Sequence, residues 1–486
     1  MIASAGPRRI FGYPLPSWPA ADPSVLLGLA LVAVLLLQAW GNVRSQPQED
    51  FWEIWSIGRL SGTHADIYSA DARASLAAEL QVELRAPWTS PREIQAASYW
   101  KSLEPVGTPA LFALFGFLQT GDFELDSGVF AALGLVALLL ATAWMCRRVG
   151  IGATGTLLAI AILLVASYPL WLDLYVGNLN ALQVGIVVLY LAVRARPVSA
   201  RTAVLAGMLL GAAIVVKPNL VLVAGLLGAE LAIRRRWRDL AGQGSGLAFG
   251  GVIAVTIATL RFGSLEPWAG WAGSFSDIVY AAGHPVAWGN SALPRFVREA
   301  VGADVVPLLL GLLTGAALLI LWRSRPARFR ATPTADAGEA RTGTATAPPR
   351  ASSPDARGPD AGALETGDPD ALRWGRETLV SGAAIAITLL AAPTVWQHYS
   401  LLLVPVVIYL VRPAGRRFGG SAHVRLRQGT AVVAVVLLSQ VPVSVSGLQP
   451  GTTWYLLAAV AATGLVLAAA LVELAAADPV SAAAAG

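Results

Sequence analysis

Runs of apolar residues recur along this chain, each near the roughly 17–20 residues that carry an α-helix across about 30 Å of hydrocarbon. Ser24–Trp40, SVLLGLALVAVLLLQAW, is the first. Its apolar core is long for a signal peptide and no A-x-A site follows it, so it reads as a retained helix. The rest of the composition leaves little choice of solvent. Only 13% of the 486 residues are charged and 55% are hydrophobic, with mean hydropathy +0.60, whereas soluble domains carry about 25% charged residues. A bilayer is the natural environment. The net charge of +5 is carried almost wholly by arginine in short clusters between apolar runs, which is not a nucleic-acid signature. Cys146 is the only cysteine, which excludes an internal disulfide, a CxxC redox pair and a thiolate zinc site.

Arginine placement orients the helices, because cytoplasmic loops are enriched in Lys and Arg. Arg8 and Arg9 put the N-terminus inside, and Arg147–Arg148 end the next long run, so residues 41–127 form an outer loop. Arg194, Arg196 and Arg201, then Arg234–Arg236, then Arg323 to Arg330, mark further inner turns. The reading predicts an all-α polytopic membrane protein with about twelve transmembrane helices, both termini cytoplasmic. Residues 1–322 form a core, 323–375 a disordered cytoplasmic linker poor in aromatics, and 376–486 the last helices of the same core. Thr108–Leu118 is too short to span and reads as an amphipathic helix on the outer membrane surface.

With that topology, the unusual polar residues gather on the outer side. Asp50 and Glu53 are three apart, on one helical face beside Trp52 and Trp55. Asp50 there either meets a lipid headgroup or merely caps a loop helix. Asp173, Asn178, Asn180 and Gln183 fall where two helices meet, and Asn178 and Asn180 cannot share one helical face, so at least one belongs to the turn. Lys217 precedes Pro218 between two apolar runs. An ammonium at membrane depth is a functional signal, with snorkelling to the interface as the alternative. Asn290 and Arg295 lie in a donor-rich outer loop, where Asn290-Ser291 could instead cap a surface helix. His398 and Tyr399 sit at the mouth of a later helix, where a lone histidine is often a satisfied interface residue.

At these residues the chain resembles the GT-C glycosyltransferase superfamily, and within it glycosyltransferase family 87, from about Glu49 to Leu410. The resemblance is carried by Asp50-Phe51 through Trp55, Gly62 to Tyr68, Gly177-Asn178-Leu179-Asn180, Gly211 through Lys217-Pro218, Asn290-Ser291, and Ala392-Pro393-Thr394-Val395-Trp396-Gln397-His398-Tyr399. It departs from the family pattern at Glu104-Pro105-Val106-Gly107-Thr108-Pro109, at Asn178, and at Tyr399. The resemblance implies an outer-face active site in the cell membrane and a polyprenyl-phosphate sugar donor, with mannose favoured over arabinofuranose. It further implies a lipid or glycan acceptor in cell-envelope or glycolipid biosynthesis. Asp50 is then the general base. Lys217, His398, Asn178, Asn180, Asn290 and Arg295 bind donor phosphate or sugar, and Glu53, Glu104 and Tyr399 support them. One base without a nucleophile pair suggests inverting single displacement, with no cofactor and no metal expected. Two readings from other classes stand beside it. A lipid-linked sugar transporter or flippase would show internal repeats and midplane charges, and a scaffold would bind through the linker.

Overall fold

The computed structural model describes residues 9–10, 13–14, 22–62, 66–87, 89–100, 103, 105, 107–196, 199–276, 290–324, 369–413, 421–439 and 453–476. Glu104, the central part of the 323–375 linker, most of the loop before Asn290 and the turn before the last helix lie outside them. Apart from a two-residue antiparallel pairing of Arg9–Ile10 with Tyr13–Pro14, the regular elements described are helices.

Helix starts follow local chemistry. The side chains of Asp22, Ser69, Ser90, Thr108, Asp122, Ser167 and Ser199 each accept a backbone N–H of the helix they open. Pro23, Pro91, Pro109 and Pro169 follow several of those caps, where a missing N–H costs nothing. The chain thus forms α1 (Pro23–Ser45), then a group of short helices, α2 (Glu49–Leu60), α3 (Ala70–Glu83), α4 (Pro91–Ser98) and α5 (Pro109–Leu118). The bundle continues with α6 (Phe123–Arg148), α7 (Ala153–Ala166), α8 (Tyr168–Val176), α9 (Asn180–Arg194), α10 (Ala200–Val216), α11 (Val221–Ile233) and α12 (Trp237–Phe262). After α13 (Glu266–Ser276) and α14 (Leu293–Val301) come α15 (Val306–Arg323), α16 (Pro369–Ala391), α17 (Val404–Leu410), α18 (Ser421–Leu437) and α19 (Thr453–Ala476).

Among the described residues five helices are long and apolar enough to cross a membrane, or up to six if the bent pair α8–α9 counts as one span. The protein is an all-helical membrane protein with several candidate spans. The remaining expected spans fall largely on shorter apolar helices such as α7, α10 and the Pro218–Ile233 stretch. Leucines of α1 face outward (Leu27 is 73% and Leu37 72% exposed), as a lipid-contacting helix requires.

Among the described residues, two apolar cores form. The larger runs through α6, α9, α10, α11, α16 and α19. The smaller joins α2 and α5 with the last turns of α12 around Phe51, Trp52, Trp55, Phe112 and Phe262. α5, expected as an amphipathic surface helix, has its first half packed inside the protein: Pro109–Ala113 are buried, while Leu114, Phe117 and Leu118 are exposed. The cause is a pair of glycines. A Cβ on Gly116 would stand 2.4 Å from the Gly58 carbonyl oxygen, so only glycine lets the backbones of α2 and α5 come this close.

α10 and α12 are packed the same way and run parallel. A Cβ on Gly207 or Gly211 would lie 2.1 Å from the carbonyl of Gln243 or Leu247, and on Gly246 or Gly250 within 2.2 Å of that of Val204 or Met208. The spacing is small-xxx-small on both helices, the pattern of close helix pairs in lipid. Gly246→Leu should therefore lower thermal stability by about 1–3 kcal/mol through overpacking, while Gly244→Leu, whose Cβ meets nothing within 4 Å, should not. A thermal melt of the two variants in nanodiscs checks this, and equal melts would show that the interface does not need its glycines.

One end of the bundle carries buried ion pairs. Arg194 donates to Glu377 at 3.1 and 2.7 Å, Arg376 pairs with Glu230 and donates to Ser324 at 2.6 Å, and Arg412 and His423 share Glu473 at 2.6 and 2.8 Å. Breaking a buried pair strands a charge at a cost of about 3–5 kcal/mol. Arg194 ends α9 and Arg376 opens α16, so the other ends of these helices, at Asn180 and before His398, face the opposite end of the molecule.

Candidate functional site

At that opposite end, α8 stops at Gly177, in the left-handed region at φ 74°. A Cβ there would stand 2.6 Å from Phe51 Cβ, so backbone angle and space both demand glycine. The chain then turns 117° into α9. Asn178 is in the turn and Asn180 is the first residue of α9, as their spacing requires. Asp173, buried on α8, accepts Asn180 Nδ2 at 2.8 Å and the Ala181 N–H at 3.1 Å. Its carboxylate thereby caps the start of α9, where the helix dipole favours negative charge.

α10 ends at Lys217, which is extended (φ −146°, ψ 105°) because proline follows. A short 3-10 turn, Pro218–Leu220, leads into α11. The break points Lys217 across the bundle. Its Nζ donates to Asn178 Oδ1 at 2.7 Å and Asn180 Oδ1 at 3.0 Å. It also lies 4.6 Å from the centre of the Tyr399 ring, a cation–π seat.

Asp50, in the first turn of α2, closes the chain of contacts: its Oδ2 accepts Asn178 Nδ2 at 2.7 Å. Carboxylate, amide and ammonium are thus joined in the order Asp50, Asn178, Lys217, Asn180, Asp173. α2 lies outside the spanning helices. Burial pushes the Asp50 carboxyl up to about 6 against the opposing Asn178 hydrogen bond and Lys217 charge. Burial, with Asp50 alongside, pushes Glu49 up to about 7.

His398 sits in the 3-10 stretch Gln397–Leu403, 2% exposed, with its ring edge-on to Tyr399 at 4.9 Å. Both ring nitrogens are buried without a hydrogen-bond partner. That is costly for an imidazole and fits a side chain kept for a bound group.

The other expected residues are placed differently. Asn290 uses Oδ1 to accept the Ala292 and Val395 N–H groups, each at 3.0 Å, and Ser291 adds two bonds to the Val395 carbonyl. Asn290 therefore pins the strand-like turn three residues before His398; it does not cap α14, whose N-cap is Ala292. Arg295 pairs with Glu299 on α14 at 2.8 Å. Glu53 is buried on α2, 6% exposed. Glu104 is outside the described residues.

Sequence reasoning passed over Gln48 and Glu49 as site residues. Gln48 is buried and left-handed at φ 53°, a strained state for a non-glycine residue. Its backbone N–H donates to the Tyr175 carbonyl at 3.2 Å and its Nε2 to that of Leu174 at 3.4 Å, so it straps α2 to α8. Nothing in a lone glutamine signals that. Among the described residues no three His, Cys, Asp or Glu side chains gather in a way that could hold a metal ion.

Residues 104–343 match the family model of glycosyltransferase family 87. The match contains Asn178, Asn180, Lys217, Asn290 and Arg295, and stops short of Asp50 and His398 on either side. No curated protein and no solved structure matches the chain.

Proposed function

We propose that this chain, whose residues 104–343 match the family model of glycosyltransferase family 87, is a membrane glycosyltransferase that moves a sugar, mannose, from a polyprenyl-phosphate donor to a hydroxyl of a lipid or glycan acceptor. The reaction takes place on the outer face of the cell membrane, in a bundle of about twelve spans, both termini inside. What carries this reading is the continuous contact from the Asp50 carboxylate through Asn178 to the Lys217 ammonium. A proton acceptor and an anion binder are held at fixed separation at one end of the bundle, away from the arginine-rich end that the positive-inside rule assigns to the cytoplasm.

The acceptor hydroxyl attacks the anomeric carbon from the face opposite the phosphate, and the bond from that carbon to phosphate oxygen breaks. Asp50 takes the hydroxyl proton as the new bond forms. The electron pair leaves with the lipid phosphate, whose charge is met by Lys217 and by the unpartnered imidazole of His398. Asn178 and Asn180 hold Lys217, and Asp173 holds Asn180. Asn290 acts at one remove by fixing the turn that presents His398. With Asp50 as the base and no carboxylate assigned as a nucleophile, displacement occurs once and the anomeric configuration inverts. A transporter would place its charges near mid-membrane. Here Lys217 and His398 stand at helix breaks near one end.

The test uses the full chain in nanodiscs with a panel of polyprenyl-phosphate sugars, scored by mass spectrometry. The expected result is consumption of the mannose donor with release of polyprenyl phosphate. Movement of intact donor across the bilayer with no cleavage of any member would overturn the reading in favour of transport.

A further inference from the structure

Across α8 from the Asp50 cluster is a cavity of about 520 Å³ between α1, α7 and α8, within the 300–1,000 Å³ or so of small-ligand sites. α1 is otherwise a lipid-facing apolar helix, yet its Gln38 and Asn42, and Gln46 just past its end, line this space together with Trp171, Leu174 and Tyr175 of α8. Gln38 and Asn42, four residues apart, share one helical face, and Gln46 continues the row in extended backbone. Amide groups in a spanning helix need partners, because lipid offers none. A cavity lined with them is built for a polar ligand.

The lining excludes most polar ligands. It has no charged side chain. Arg92, which donates to the Gln46 carbonyl at 2.5 Å, is neutralised by Glu124 at 2.6 Å. A phosphate would find no cation here. Amides that both donate and accept, opposite an indole and a phenol, match a ligand whose hydroxyls both donate and accept and whose ring faces are apolar. That ligand is a neutral carbohydrate.

α8 stands between this cavity and the Lys217 cluster. Asp173 faces the Lys217 cluster while Leu174 and Tyr175, its neighbours, line the cavity. Gln48, two residues before Asp50, bonds to the carbonyls of both. We propose that this cavity is the subsite for the neutral sugar of the acceptor, which reaches Asp50 around the Tyr175 edge. Calling that sugar the acceptor rests on the transfer reaction proposed for the Asp50 cluster.

The probe is an octyl mannoside carrying a diazirine, photolysed with the full chain in nanodiscs and mapped by mass spectrometry. Labels are expected on peptides holding Gln38–Gln46 and Trp171–Tyr175. Excess octyl mannoside should compete them away, while octanol and octyl phosphate should not. Gln38→Leu/Asn42→Leu, which places leucines on a helix that already faces lipid, should cut the labelling and raise the acceptor KM about tenfold each. Hydrolysis of donor alone should stay at the wild-type rate. Labelling spread along the outward leucines of α1, competition by octyl phosphate, or labelling indifferent to the double variant would overturn the assignment. Competed labelling in a wild-type protein that consumes no donor would support the carbohydrate site and sink the transfer reading instead.

Discussion

Asp50→Asn should lower the rate of sugar transfer by about 10²–10⁴, the range a positioned general base supplies, with donor affinity within a few-fold of wild type. The substitution suits the purpose because an asparagine oxygen can still accept the Asn178 Nδ2 hydrogen bond that Asp50 now receives at 2.7 Å. The strap from Gln48 to α8 and the packing of Phe51 remain. What is lost is a site for the proton, so the deficit falls on turnover. Single-turnover transfer measured against donor binding separates the two. A variant that turns over near the wild-type rate would remove Asp50 as the base.

The same carboxyl sets a pH profile. Burial has pushed it up to about 6, and only the ionised form can take a proton. Transfer should therefore be lost as pH falls through about 6 and level off above it. Glu49, pushed up to about 7 by burial and by the Asp50 charge, is mostly protonated over the range in which Asp50 titrates. Glu49→Gln should accordingly leave the acid limb near pH 6 in place. A limb that moves to lower pH would show that Glu49 is ionised there and holds Asp50 up.

Much of this site could be read from residues because the constraints were local. Pro218 forces the residue before it out of the helical region, so Lys217 had to sit at a break. Asn178 and Asn180, two apart, could not both lie on one helical face, and Gly177 supplied the turn. What escaped depended on contacts between distant segments. The burial of α5 needs Gly58 and Gly116 to meet, which neither glycine announces. The strained backbone of Gln48 exists because α8 offers it two carbonyls. Asn290 looked like a ligand for the same reason that it is a good tie: a short amide in a loop serves backbone N–H groups as readily as a substrate. Arg295 found its partner four residues along its own helix.

Lys217→Met should weaken the use of donor by about 10²–10³, the cost of removing one group that stabilises a developing oxyanion. Methionine keeps much of the length and removes the charge, so the loss reports electrostatics and not a cavity. Three consequences should appear together. Donor KM rises, because the lipid phosphate now meets Asn178 and Asn180 oxygens that have lost their donor. The acid limb of transfer moves to higher pH, because the Lys217 charge is one of the influences that lower Asp50. Lys217→Arg recovers the donor KM better than the turnover, since a planar guanidinium restores charge over Tyr399 but cannot reproduce the two short bonds of a compact ammonium. A Lys217→Met protein that binds donor normally would assign the lysine to holding the turn between α8 and α9, and the phosphate would then have to be met by His398 alone.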